Sequence, residues 1–169
     1  ARTTIVSGPV SLQAPQHVTV ERVTSALEML ACSEKLLAEC DIFIACAAVA
    51  DYRPVAAQNQ KIKKGPEELS LKLVKNPDIV ATVASSEQRP FTVGFAAETQ
   101  EVVDYARMKL ERKGLDMIVA NDVSDSSIGF NSSENEVTVL WPGGEQVLEK
   151  AGKGVLARQI MALIAAKLD

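Results

Sequence analysis

Apolar positions change their spacing repeatedly along the chain, and the changes outline its elements. Residues 2–7 are rich in β-branched side chains and end at Gly8-Pro9, which predicts a strand; residues 17–23, with Val18, Val20 and then Val23, predict a second. Thr24 is the expected cap of a helix that carries Glu28 in its first turns, with Ala26, Leu27, Leu30 and Leu37 at helical spacing as far as Cys40. Residues 41–50 then run apolar without alternation, the pattern of a strand covered on both faces. Residues 58–75 differ in kind. Lys61-Ile62-Lys63-Lys64, a Gly65-Pro66 turn and Leu69-Ser70-Leu71-Lys72-Leu73 alternate as an exposed two-stranded hairpin with one apolar face would.

After Asn76-Pro77, a pair suited to a helix start, Ile79, Val80, Val83 and Ala84 predict a short helix. Residues 91–95 predict a strand, 99–113 a helix and 116–120 another buried strand. Residues 136–141 and 146–148 form a hairpin about Pro142-Gly143-Gly144, and 153–167 a terminal helix. Strands alternating with helices predict a doubly wound, Rossmann-like α/β fold. Its sheet is mostly parallel, with a projecting β-hairpin flap and a small C-terminal hairpin, in one domain of 169 residues without internal repeats.

Composition narrows the function classes. No apolar run approaches the roughly 20 residues that span a bilayer; the longest holds nine uncharged residues between Asp41 and Asp51. The N-terminus has neither the basic start nor the apolar stretch of a signal peptide, so a cytoplasmic location is expected. Lys plus Arg total 18 against 22 Asp plus Glu, a net charge of −4 that argues against broad nucleic-acid binding. Cys32, Cys40 and Cys46 are an odd number in no metal-like spacing, and His17, the one histidine, cannot complete a zinc set.

In open α/β sheets ligands bind outside the carboxyl ends of the strands. The segments to inspect are therefore Ser7-Gly8-Pro9, Ala47-Ala48-Val49-Ala50-Asp51, Gly94-Phe95-Ala96-Ala97-Glu98-Thr99 and Ala120-Asn121-Asp122-Val123. Small residues let a ligand approach the backbone, and Asp51 and Glu98 are the acids best placed to hold a ribose hydroxyl, a substrate ammonium or a metal; each also suits a loop cap. Residues 61–75 hold five Lys and two Glu, a local excess of positive charge in an acidic chain. Such a run fits a solvated face, or a lid that closes over an anion. On the helix 99–113, taking Val102 as zero, Ala106 lies at about 40° and Leu110 at about 80°, while Lys109 and Lys113 fall at about −20° and +20°. Both lysines stand at the edge of the inward stripe. They either offset the helix dipole or share an anionic ligand.

Five segments in order resemble one family. They are Ala47-Ala48-Val49-Ala50-Asp51-Tyr52-Arg53; Lys61-Ile62-Lys63-Lys64; Lys75-Asn76-Pro77-Asp78-Ile79-Val80; Val93-Gly94-Phe95-Ala96-Ala97-Glu98-Thr99; and Ala120-Asn121-Asp122-Val123. Together they resemble phosphopantothenoylcysteine synthetase, from about Ser7 to the C-terminus. The resemblance implies an acid–amino-acid ligase of coenzyme A biosynthesis. In it the carboxylate of 4′-phosphopantothenate attacks the α-phosphate of CTP, and cysteine then displaces CMP from the acyl-cytidylate. It further implies that Ala45, Cys46, Ala47, Asp51, Lys61, Pro77, Asp78, Ile79, Val80, Phe95, Lys109 and Lys113 contact CTP, with Lys61 as the catalytic residue on the flap. Mg2+ would bridge the triphosphate. The Lys-Ile-Lys-Lys form resembles the bacterial, CTP-using branch, in which the synthetase is usually fused to a flavin-dependent decarboxylase and pairs as a homodimer, with residues 131–148 as a contact surface.

One departure stands out. The family begins with a further strand and a Gly-rich, Asn-His-Ser-Ser-Gly-Lys-like stretch that holds substrate phosphate, and this chain starts at the family's second strand, about 40 residues later by the length of a βα unit and its loop. The alternative reading is therefore a nucleotide-binding or dimerising fragment without complete catalytic activity. A nicotinamide-dependent oxidoreductase fits the fold class but not the residues, since no Gly-x-Gly-x-x-Gly follows any strand.

Overall fold

In the computed structural model, residues 1–56, 70–98, 100–122 and 132–168 are described. The chain forms two compact units, Ala1–Lys35 with Ala47–Ile79 and Leu36–Cys46 with Val80–Asp169.

The first unit opens with strands β1 (Thr4–Ser7) and β2 (Thr19–Arg22), paired in parallel with Ile5 opposite Val20. Helix α1 (Ala26–Leu36) follows. Its cap lies one residue beyond the expected Thr24: the Ser25 hydroxyl accepts the Glu28 amide at 3.2 Å, while the Glu28 carboxylate accepts the Thr24 amide at 2.8 Å. These bonds from Thr24 hold the Glu28 carboxyl below its ordinary value. Leu27, expected on the inward stripe, is exposed, and the buried position of the helix is Ser33, whose hydroxyl donates to the Met29 carbonyl. Strands β3 (Ile42–Ala45) and β4 (Tyr52–Pro54) come next in the chain, and β4 pairs antiparallel with β5 (Leu73–Lys75). Of the hairpin expected over 58–75, only β5 is a strand among the described residues: residues 70–72, expected in its second arm, are not strand, β5 pairs with β4, which precedes that segment, and Lys61–Lys64 lie outside the described residues.

The second unit is built on a five-stranded sheet. Its order is β3, β6 (Phe91–Glu98), β7 (Met117–Asp122), β8 (Glu134–Trp141) and β9 (Gly144–Gly152). The pairs β3 with β6 and β6 with β7 are parallel, whereas β7 with β8 and β8 with β9 are antiparallel. Helices α2 (Ile79–Ala84) and α3 (Val102–Lys113) precede β6 and β7, and α4 (Lys153–Leu168) ends the chain.

Side chains alternate across this sheet and divide the core into two clusters. Val93, Met117, Val119, Val137, Val139 and Leu148 pack with Leu156, Ile160 and Ile164 of α4. Ala96, Ile118, Ala120 and Leu140 pack with Ala84 and with Ala106 and Leu110 of α3. Gly94 belongs to the second side, where a β-carbon would stand 2.8 Å from a Leu115 methyl. The missing side chain of Gly94 thus makes room for Leu115 and not, as expected, for a ligand. Gly114 ends α3 at φ 63°, and the Leu115 amide reaches back to the Leu110 carbonyl at 2.9 Å, closing the helix end. At the opening edge of the sheet the Asp116 carboxylate accepts the Thr92 amide at 2.8 Å and pairs with Arg89, which ties the start of β7 to the start of β6.

Two further expectations change. β3 keeps only four residues and, at the edge of its sheet, is half-buried, with Ile44 exposed, so it is not covered on both faces. The alanines beyond Ala45 carry too little side chain to extend the buried run, and residues 46–51 leave the sheet. The C-terminal hairpin is larger than expected, with strands of eight and nine residues. Exposed Glu145, Gln146, Glu149 and Lys150 masked the outer strand in the hydrophobic pattern.

Candidate functional site

In the first unit the site is organised around one buried polar residue. Asn76 follows β5 and donates its backbone amide to the Asp51 carbonyl at 2.7 Å and its side-chain amide to the Ala50 carbonyl at 2.8 Å. The Asn76 side-chain oxygen accepts a guanidinium N–H of Arg53 at 3.0 Å, and the same nitrogen donates to the Lys75 carbonyl at 2.9 Å. These bonds fasten Ala50–Arg53 to the segment that runs through Pro77 and Asp78 into α2, where Ile79 is buried and Val80 half-buried. Asp51 therefore stands exposed, with its backbone held to Asn76. A turn with the Val49 amide on the Ala47 carbonyl leads into it. Asn76 and Arg53 were not among the expected site residues; Asn-Pro reads locally as a helix start, and its partners lie 23 and 26 residues away.

In the second unit Ala45 and Glu98 end β3 and β6, whereas Phe95, expected at a strand end, lies inside β6, which continues to Glu98. Ala45 ends β3 opposite Gly94, with Cys46 next in the chain. Phe95 shares the α4 face with Val93, whereas Glu98 shares the α3 face with Ala96. Lys109 and Lys113 are half-buried on α3, in agreement with their place at the edge of its inward stripe. The Lys109 ammonium donates to the Glu98 carboxylate at 2.5 Å. Within this unit the structure brings Lys109 to the end of β6 but sets Phe95 on the opposite face of the sheet. Lys61 lies outside the described residues.

On the α4 side a cavity of about 330 Å³ is lined by Ile44, Cys46 and Phe95, by Asn135 and Val137 of β8, and by α4 side chains from Lys153 to Met161. Desolvation there raises the Cys46 thiol above its ordinary value, although part of the residue remains open to solvent. A register shift between Asn135 and Val137 lies in the same stretch. The side-chain oxygens of Asn121, near the end of β7, and of Asn135 are buried without a hydrogen-bond partner among the described residues. Such acceptors are uncommon in native folds. Asn121 belonged to a strand end singled out in the sequence, but nothing local marks its burial, and Asn135 carried no signal at all.

Comparison with known proteins places this geometry. Residues 1–168 match the DNA/pantothenate metabolism flavoprotein C-terminal domain. The chain is 52% identical over 167 residues to the Coenzyme A biosynthesis bifunctional protein CoaBC of Vibrio vulnificus (strain YJ016), covering 97% of this chain and 42% of that protein. It is 47% identical over 173 residues to the protein of the same name from Escherichia coli (strain K12), covering all of this chain and 43% of the relative. The chain thus spans about two fifths of the length of these relatives. A crystal structure of the C-terminal domain of Coenzyme A biosynthesis bifunctional protein CoaBC superposes with TM-score 0.80 at 34% identity, over 98% of this chain and 74% of that one. The ordered motifs, the fold and these likenesses agree: the chain belongs to the family of the DNA/pantothenate metabolism flavoprotein C-terminal domain.

Proposed function

We propose that this chain carries the synthetase step of coenzyme A biosynthesis, joining 4′-phosphopantothenate to cysteine at the expense of CTP. Two observations, one within each unit, support the reading. Asn76 fastens Asp51 to the segment entering α2, and Lys109 is drawn to the end of β6. Both features occur in a chain half identical to a bifunctional protein of coenzyme A biosynthesis.

In this reading the carboxylate of 4′-phosphopantothenate attacks the α-phosphorus of CTP and expels pyrophosphate. The amine of cysteine then attacks the acyl carbon, loses a proton and releases CMP. Negative charge grows on the phosphate oxygens during the first step, and ammonium groups fixed beforehand stabilise it. Lys109 and Lys113 are assigned to that task, together with Lys61, which lies outside the described residues. Exposed Asp51, with its backbone anchored, is assigned to the nucleoside. Mg2+, where bound, would be held mainly through the substrate phosphates and water and would screen the charge of the triphosphate. Pairing of two copies about a twofold axis belongs to the same reading. Among the described residues no helix is long and apolar enough to cross a membrane.

Pyrophosphate release from CTP on addition of 4′-phosphopantothenate, followed by CMP release only when cysteine is added, is the expected result. CTP binding with no pyrophosphate released would instead favour a nucleotide-binding fragment, since the chain spans only part of its relatives. Lys61→Gln keeps the side chain's polarity but removes its charge, and is expected to lower turnover about tenfold to a hundredfold while the circular dichroism spectrum is unchanged. Unaltered turnover would remove Lys61 from the chemistry.

A further inference from the structure

An acidic side chain beside a lysine assigned to a triphosphate calls for an explanation. Glu98 is the last residue of β6, and its side chain is only 19% exposed; Lys109 reaches it from the middle of α3 with its own side chain 37% exposed. The register sets Glu98 beside Asp122, the last residue of β7, so the ammonium is drawn to the carboxyl ends of two parallel strands. A lysine carries four rotatable carbons, and a free one would sample many rotamers before meeting an anion. By Coulomb's law alone, a carboxylate at this place repels a triphosphate and weakens its binding.

We infer that Glu98 is a positioning residue: it holds the Lys109 ammonium at the end of β6, in the conformation from which Lys109 meets the triphosphate. The inference rests on the reading of Lys109 as a nucleotide contact. Holding Lys109 beforehand removes the cost of ordering its side chain on binding, which outweighs the added repulsion. Glutamine preserves the hold, because its amide oxygen still accepts from the ammonium, and it removes the repulsion. Alanine removes both. The charge-only account and the positioning account therefore predict opposite signs for the alanine variant.

The test is the CTP dissociation constant, measured by calorimetry at fixed ionic strength for the wild type, Glu98→Gln, Glu98→Ala, Lys109→Ala and the Glu98→Ala/Lys109→Ala double variant. Positioning predicts that Glu98→Ala binds CTP about tenfold more weakly, that Glu98→Gln stays within about threefold of wild type, and that Glu98→Ala has no further effect once Lys109 is absent. Glu98→Asp keeps the charge but shortens the reach by one methylene; it is expected to bind several-fold more weakly and serves if the alanine variant does not fold. Wild-type or tighter binding by Glu98→Ala, with Lys109→Ala weakened, would overturn the positioning role alone. Additive losses in the double variant would overturn it too, by showing that Glu98 acts apart from Lys109. Unchanged binding by Lys109→Ala would overturn the nucleotide reading of that lysine, and the positioning role with it.

Discussion

Asn76→Ala lowers the stability of the protein by about 2–4 kcal/mol, the loss expected when one hydrogen bond to a charged group and one to a buried carbonyl disappear together. Asn76 is 9% exposed, so water cannot readily replace its side-chain amide at the Ala50 carbonyl or its oxygen at Arg53. Its backbone amide keeps its bond to the Asp51 carbonyl in the variant, which confines the damage to the two side-chain bonds. Asn76→Asp separates them. The carboxylate still accepts from Arg53, but it faces the Ala50 carbonyl with an oxygen where the wild type offers an N–H. The aspartate variant is therefore expected to fall between wild type and alanine. Because the same bonds fasten Ala50–Arg53 to the Asn76 segment, the proposed nucleotide reading of Asp51 further expects CTP affinity to fall in both variants at temperatures where the fold survives. Urea unfolding and calorimetry measure the two effects. A stability change below about 0.5 kcal/mol with unaltered affinity would show that the junction is held by its backbone alone.

The Asn76 junction also marks where sequence reading stops. Strong apolar runs bounded by turns foretold β1, β6, β7, α2 and α4 to within a few residues, because burial of a periodic stripe is a local signal. The start of α3 was missed by three residues: Glu101 precedes the helix at φ 45°, a left-handed conformation that hydrophobic spacing does not encode. The run at 41–50 was too long because alanines count as apolar yet bury little. Placement of the candidate residues was legible only in part: helical angles put Lys109 and Lys113 at the edge of the inward stripe, where both are half-buried, and Glu98 does end a parallel strand, whereas Asp51 lies beyond β3 and just before the antiparallel β4. Pairings were not legible. Glu98 meets Lys109 only because α3 folds back over the end of β6, and Asn76 meets Ala50 and Arg53 only because β4 and β5 pair. Nor does spacing alone say that Phe95 and Glu98, three residues apart, face opposite sides of a sheet; that requires knowing that β6 continues through both.

Ile164→Ala is the substitution expected to cost most, about 3–4 kcal/mol, within the range of buried Ile-to-Ala changes that leave a cavity. Ile164 has no exposed surface and packs in the cluster that joins α4 to Val93, Met117, Val119, Val139 and Leu148 across four strands. Those strands are fixed to one another by their hydrogen-bond ladders, so the sheet cannot easily collapse into the space left by three lost carbons. The control is Met108→Ala on α3, where the side chain is 61% exposed and the change is expected to stay within about 0.5 kcal/mol. Urea unfolding followed by circular dichroism distinguishes the two. The loss also has a local consequence. Ile160, one turn earlier on α4, belongs to the same cluster and lines the cavity beside Phe95 and Cys46. Loosening α4 therefore opens that cavity, and the Cys46 thiol, held above its ordinary pKa by desolvation, is expected to react faster with a thiol reagent in Ile164→Ala than in wild type. An Ile164→Ala protein that lost less than about 1 kcal/mol, with Cys46 reacting at the wild-type rate, would mean that α4 is not packed on the sheet as the cluster requires.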